Sequence, residues 1–526
     1  MQFTSNGPDI PIEILDAQEK NELVIFTGAG ISKPAGLPLF GELTNNIIKK
    51  LNADPDRHIK EELRHGSFDR VFSWLEKEFG RKRLAYELKK QLIPQNSTST
   101  SHSDLIDLAT GRDERLRLVT TNFDPLFDST EKVTKAFDAP SLPVPKPLKW
   151  DGLVYLHGRL DIDNESEENN LVITSGDFGQ AYLHEGWAAK FVTELFRHYR
   201  VLFIGYSVND PIIRYLMDAI ASDQKHGIEI KKPYAFADYE EGGQKDAEKA
   251  WEHKNIIPIA FDRKTNFELK NKTLSNWAKR WNGGLEAKKG VIRIYGVQDP
   301  NRLGKDEEYK RKQFYWALSD SDGSVAKELK ELGRKAHLNW FFALDEDLKN
   351  NKTGLSEEKK KELILEGVLW EDKHLVSRQI PTQVQIHLSE WVIQFLDDES
   401  LLLWFVNSQK FPTATLSRII YYELGKIQNN ERQYELSEAY IKLWRYLCSM
   451  ERVINNDQFS GFDLKREIEY SQINQQLKRG ALKELAPQVV LKSNWHRREL
   501  MRQTFGEFKK QKKIPRSHSC LKCSSL

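Results

Sequence analysis

The chain has 526 residues, with 79 Lys+Arg against 77 Asp+Glu and a net charge of +2. That length holds two or three domains, and 39% apolar with 30% charged residues excludes wholesale disorder. Near-neutral charge excludes global steering toward nucleic acid or an anionic membrane, and three cysteines, two of them in the last seven residues, exclude a disulfide framework. The richest apolar run, Leu401 to Val406, is far shorter than the ~20 residues of a membrane span. Met1-Gln2-Phe3-Thr4 has neither the basic nor the apolar region of a secretory signal, so the expected address is cytoplasmic.

Up to about residue 285, strand-like and helix-like runs alternate. Apolar, β-branched stretches predict strands at 23–27, 116–121, 153–157, 171–174, 201–205, 234–237 and 256–261. Helical spacing occupies 40–51, 76–92 and 187–198. The alternation predicts an α/β fold with a Rossmann-like, mostly parallel sheet, whose ligands sit at strand carboxyl ends. Between residues 301 and 526 only Pro381, Pro412, Pro487 and Pro515 interrupt amphipathic helical patterns. Val384, Leu388, Trp391, Val392 and Phe395 share one face, as do Leu436, Tyr440, Leu443, Trp444 and Leu447. A boundary near Trp281–Gly284 gives an α/β domain over 1–285 and an all-α domain over 290–526, with no clean repeat period. Trp340, Trp370, Trp391, Trp404 and Trp444 are expected in helix-packing core.

Three polar motifs follow predicted strands. Gly28-Ala29-Gly30-Ile31-Ser32 is a glycine turn that can bring backbone N–H groups against a phosphate, with the next helix N-terminus and the Ser32 hydroxyl adding donors. It is not the Rossmann fingerprint, because Lys33 stands at the third glycine position, and no Gly-Lys-Ser/Thr makes it a P-loop. Thr120-Thr121-Asn122-Phe123-Asp124 and His157-Gly158 supply a carboxamide, a carboxylate and an imidazole. Each alone also fits an ordinary tight turn, a capped turn or a structural histidine. In this order, each at a strand end, they point to one site.

Gly28 through Phe40 resembles the NAD-binding opening of the sirtuin (SIR2) family. The resemblance implies that Gly28, Ala29, Gly30 and Ser32 cradle the pyrophosphate and that Phe40 covers the nicotinamide end. Thr120–Asp124 is similar to the family's Thr-Gln-Asn-Ile-Asp element, and Leu156-His157-Gly158 to the element carrying its catalytic histidine. Cleaving nicotinamide from ribose needs no strong acid, because the pyridinium leaves as a neutral base. A base and polar groups that fix ribose and nucleophile help instead. His157 suits the base, Asn122 orients water and ribose, Asp124 holds Asn122 or the ribose, and Thr121 borders the substrate. Val201 through Asp210 resembles the Gly-Thr-Ser element, which places Gly205, Ser207 and Asp210 at the dinucleotide. Its Gly-Tyr-Ser-x-x-Asp form, and Thr174 through Tyr182, resemble bacterial defence-associated SIR2 proteins. The resemblance spans roughly 15–285. It departs at Leu39 and Gly41, where deacylating sirtuins carry Asp and Arg.

Deacylating sirtuins also carry a zinc ribbon with two Cys-x-x-Cys pairs after the His-Gly element. Here that interval has no cysteine and holds the acidic stretch 161–168, so no Cys₄ site and no zinc are expected. Without that wall, water is the expected acceptor. The resemblance then implies an NAD hydrolase that consumes NAD as substrate, releases nicotinamide and ADP-ribose, and depletes NAD in anti-phage defence. Alternatives are an NAD-dependent deacylase, an ADP-ribosyltransferase or cyclase, and a non-catalytic NAD or ADP-ribose sensor. An enzyme that destroys NAD must be silent until needed. The helical half is the expected sensor, homo-oligomer surface or dock for a partner or phage-derived protein. Lys509–Lys513 is taken as a solvated end with no nucleic-acid role. His518, Cys520 and Cys523 lack a fourth ligand, so no metal is expected there.

Overall fold

The computed structural model describes residues 1–93, 100–160, 170–208, 213, 216–217, 230–364, 381–408, 414–428, 441, 444–445 and 448. The chain divides into two compact units, Met1–Gly284 and Leu285–Leu526.

The first unit is built on seven strands: β1 (Leu23–Thr27), β2 (Arg117–Thr120), β3 (Ala136–Asp138), β4 (Gly152–Tyr155), β5 (Arg200–Ile204), β6 (Tyr234–Tyr239) and β7 (Ile257–Asp262). They lie in the order β3-β4-β2-β1-β5-β6-β7, and every neighbouring pair is parallel. Every residue of β1, β2 and β4 is buried, which is why their middles read as apolar runs. Thr27 is level with Thr120 and with Ile204, and Thr120 with Tyr155. The carboxyl ends of β1, β2, β4 and β5 therefore finish on one line, and the loops that follow emerge side by side. The chain leaves β1 toward β2 on one side and returns at β5 on the other. That reversal opens the crevice in which such sheets bind ligands.

Helices α1 (Ile12–Glu19), α2 (Phe40–Leu51), α3 (Arg57–His65), α4 (Phe68–Phe79), α5 (Arg81–Leu92), α6 (Thr100–Ala109), α7 (Ser175–Gly179), α8 (Trp187–His198), α9 (Gln244–Glu252) and α10 (Arg263–Asn282) surround the sheet. On one face Val24, Phe26, Val201 and Phe203 share a core with Phe191 and Leu195 of α8. Toward the other, Gln18 of α1 donates to the Leu108 carbonyl of α6 at 2.9 Å and accepts from Trp277 Nε1 of α10 at 2.9 Å. A separate apolar cluster joins α2 to α5 with Phe123, Leu160, Leu171 and Ile173, walling the carboxyl ends of the strands.

Two local expectations are corrected and one strand is added. Residues 171–174 form no strand: they are buried, but Thr174 caps α7 by accepting from Asp177 N–H, and the segment serves as that helix's lead-in. The helical pattern over 76–92 belongs to two helices, broken where Gly80 takes φ +81°. The short edge strand β3 was not anticipated, because Ala136-Phe137-Asp138 carries no apolar run.

The second unit is helical among the described residues, with helices that include Tyr309–Leu318, Ser324–Leu332, Asn339–Lys349, Gln383–Val392 and Ala414–Gln428. Val384, Leu388, Trp391 and Val392 are buried together on one helix. Trp340 stacks on Phe314 at 3.9 Å, and the indoles of Trp391 and Trp444 donate to the Gly333 and Leu396 carbonyls. Trp404 is half-buried. Trp370 and most of the 436–447 face lie outside the described residues, as do 161–168 and the tail with Lys509, His518, Cys520 and Cys523. Among the described residues no helix is long and apolar enough to cross a membrane.

Candidate functional site

The glycine turn after β1 is locked to the loop after β5. Gly28 and Gly30 donate their N–H groups to the Ile204 and Gly205 carbonyls, each at 2.9 Å. A Cβ at Gly30 would lie 2.8 Å from the Gly205 oxygen, and one at Gly205 would lie 2.7 Å from the Gly28 oxygen. Only glycines allow this approach. Tyr206 closes the joint: its hydroxyl donates to the Thr27 carbonyl at 2.9 Å and accepts from Thr121 Oγ1 at 2.7 Å. This alters the expected phosphate cradle, since the N–H groups of Gly28, Gly30, Ile31 and Ser32 already have carbonyl partners. The next helix starts at its expected place. Pro34, Gly36 and Pro38 divide the stretch into two 3₁₀ turns, Ala29–Ile31 and Lys33–Ala35, and α2 begins only at Phe40, where Glu42 accepts from the Leu39 N–H.

Ser32, Asn122 and Asp124 form one buried network. Asn122 Nδ2 donates to Ser32 Oγ at 3.1 Å, and Ser32 donates to Asp124 Oδ2 at 2.9 Å. His102 Nε2 approaches Ser32 Oγ at 3.4 Å. The single hydroxyl hydrogen of Ser32 is thereby committed to Asp124 rather than offered to a phosphate. Asp124 holds Asn122 through that serine. Leu126 N–H donates to the second carboxylate oxygen at 3.3 Å. Burial still pushes the Asp124 carboxyl up to about 6, against the lowering effect of these donors. Burial likewise pulls His102 down to about 4, so its ring is neutral at physiological pH.

His157 sits beyond β4, wholly buried. Its Nε2 is 3.0 Å from the Tyr182 hydroxyl, its Nδ1 has no hydrogen-bond partner, and Phe178 meets the ring edge-on at 5.2 Å. Burial drives its pKa down to about 3. The expectation of a base poised near neutrality is corrected accordingly: the apolar wall denies the ring its charged form.

Asn122, Asp124 and His157 line one cleft together with Ala29, Ser32 and Thr121. Its apolar wall includes Phe40 of α2 and Phe178 of α7. Among the described residues no lysine or arginine lines it. Phe40 packs on Phe68 and Phe72 at 5.7 and 5.4 Å, and a Cβ at Gly41 would lie 2.9 Å from the Phe68 ring. Gly28, Gly30 and Gly205 border the cleft through the locked loops without lining it. Ser207 is exposed and does not line it, and Asp210 lies outside the described residues. Among the described residues no group of three or more His, Cys, Asp or Glu is placed to hold a metal. Sequence reasoning passed over His102, which carries no motif signal. It quoted Phe178 and Tyr182 without a role, because their contacts with His157 cross more than twenty residues of chain.

A family model described as a SIR2-like domain matches residues 116–259. The chain is 28% identical over 276 residues to an uncharacterized protein, y4cA, of Sinorhizobium fredii, which covers 50% of this chain and 23% of that protein. It is 27% identical over 215 residues to the NAD(+) hydrolase ThsA of Acinetobacter baumannii, 39% of this chain and 41% of that protein. The chain thus spans less than half the length of either relative.

Proposed function

Because the chain carries a SIR2-like domain, we propose that it is a regulated NAD⁺ glycohydrolase, converting NAD⁺ and water to nicotinamide, ADP-ribose and a proton. The observation that supports this reading most is the convergence of Asn122 and His157 on one cleft beside the glycine turn. The similarity to a protein named as an NAD(+) hydrolase points the same way.

In this reading the C–N bond between ribose and nicotinamide breaks with its electron pair leaving on the neutral pyridine. Positive charge grows on the sugar. Asn122, its Nδ2 tied to Ser32, offers its carbonyl oxygen to the attacking water or a ribose hydroxyl. His157 enters as a neutral ring whose free acceptor nitrogen receives a hydrogen bond from the same groups. The negative pyrophosphate raises its proton affinity on binding, and the proton of the attacking water leaves through it. Asp124 positions Asn122 through Ser32, and the aromatic wall of Phe40 and Phe178 keeps bulk water from the reacting carbon. Ala29, Thr121 and the locked loops at Gly28, Gly30 and Gly205 shape the dinucleotide's bed. The helical unit would control the enzyme as sensor, oligomer surface or partner dock. NAD depletion in the cytoplasm during phage defence is the biological reading that follows.

Purified protein incubated with NAD⁺, with and without infected-cell lysate, should release nicotinamide and free ADP-ribose in equal amounts by chromatography. Asn122→Ala and His157→Ala should each reduce release by roughly 10²–10⁴-fold. Cyclic or protein-attached ADP-ribose as the main product would replace water as the acceptor. Tight NAD⁺ binding with no nicotinamide under any activating condition would leave a sensor in place of an enzyme.

A further inference from the structure

The two ring nitrogens of His157 meet different surroundings. Nε2 lies 3.0 Å from the Tyr182 hydroxyl, whereas Nδ1 is buried with no partner. A neutral imidazole carries its proton on one nitrogen and a bare lone pair on the other. With the proton on Nδ1, an N–H would be buried without an acceptor. With the proton on Nε2, that N–H has the Tyr182 oxygen to meet, and only a lone pair goes unmatched. Orphaned buried donors are the rarer of the two in folded proteins, so the surroundings favour the Nε2–H form.

The frame around Tyr182 is built to hold that hydroxyl in place. Tyr182 sits in a single π turn, Gln180–His184, where the Glu185 N–H reaches back to the Gln180 carbonyl at 3.0 Å. Isolated π turns concentrate at functional positions. The Tyr182 ring is buried and stacks on Phe178 at 6.1 Å with a 20° tilt. The lead-in is pinned by Asp177 Oδ2, which accepts from the Ile173 and Thr174 N–H groups at 3.0 and 2.9 Å and pairs with Arg81 at 2.9 Å. The hydroxyl thus hangs from a braced helix and not from a loose loop.

We propose that Tyr182 is a positioning residue: its oxygen accepts the Nε2–H of His157, fixes the tautomer and plane of the ring, and leaves Nδ1 as the nitrogen that meets the ribose hydroxyl or water. The choice of substrate rests on the hydrolase reading, whereas the tautomer assignment does not.

A solid-state ¹⁵N spectrum of histidine-labelled full-length protein tests the assignment, with the His157 signals identified by their loss in His157→Gln. Wild-type protein should show Nε2 protonated and Nδ1 bare, and Tyr182→Phe should show a mixture of tautomers. In the same variant kcat should fall on the order of 10–100-fold with KM held within about threefold, and its thermal midpoint should stay near wild type. A wild-type His157 protonated on Nδ1 overturns the proposal, even if the variant does not fold. An unchanged tautomer with unchanged kcat in Tyr182→Phe overturns it as well. If wild-type protein releases no nicotinamide, the hydrolase reading fails while the nitrogen spectrum still decides the role of Tyr182.

Discussion

The two sides of the cleft bury polar groups in opposite ways. On one side Ser32, Asn122 and Asp124 satisfy one another through a chain of hydrogen bonds. On the other, His157 has a single hydroxyl neighbour and an aromatic wall. Burial acts on both sides against the charged form, so it raises the acid to about 6 and lowers the base to about 3. Where donors converge, a carboxylate survives at neutral pH. Where they do not, the ring stays uncharged. A polar network and an apolar cage thus give one cleft an anion and a neutral acceptor.

Removing the node of the network should have the largest effect. Ser32→Ala takes a donor from Asp124 and the acceptor from Asn122. It should cost about 2–3 kcal/mol in urea unfolding and lower NAD⁺ turnover by roughly 10²-fold. Phe178→Leu, on the caged side, should cost only about 1–1.5 kcal/mol. Equal losses would erase the contrast. Gly30→Ala probes the loop joint, where a methyl meets the Gly205 oxygen; about 1–3 kcal/mol is expected by the same measurement, and a silent substitution would show that the joint yields.

Acid separates the two sides by sign. His157 and His102 have folded pKa values of about 3 and 4 against the ordinary 6.5. As pH falls below 6.5, the unfolded chain takes up two protons that the folded chain refuses, and stability is lost. Asp124, raised from 3.8 to about 6, works the other way: the folded chain takes its proton first as pH falls through that window. These groups together leave the unfolded state about one proton ahead near pH 5, a loss of roughly 1–1.5 kcal/mol per pH unit. Asp124→Asn deletes the counterweight and should steepen that slope toward about two protons. A shallower slope in the variant would contradict the placement of Asp124. This is the smallest effect and the most specific.

What the sequence makes legible here follows from the range of the forces involved. Leu23–Phe26 and the middles of its sheet neighbours are apolar because both faces are covered, and that pattern survives without coordinates. The strand-end motifs were readable for the same reason, since a polar cluster directly after such a run has few places to go. The segment 171–174 misled because burial alone does not distinguish a strand from a capped lead-in, and the deciding contact is the Asp177 carboxylate three residues on. Gly80 splits a helical pattern through a positive φ that hydrophobic spacing does not register. His102 and Tyr182 belong to the site only through contacts 70 and 25 residues away in sequence, and no local pattern encodes such distances.

The contact at Gly41 limits what that position can hold. Where the resemblance would put an arginine, the first carbon of any side chain runs into the Phe68 ring, the same ring that supports Phe40. An arginine at position 41 would therefore push against the Phe68 ring of α4 and, through it, against the Phe40 ring that walls the cleft.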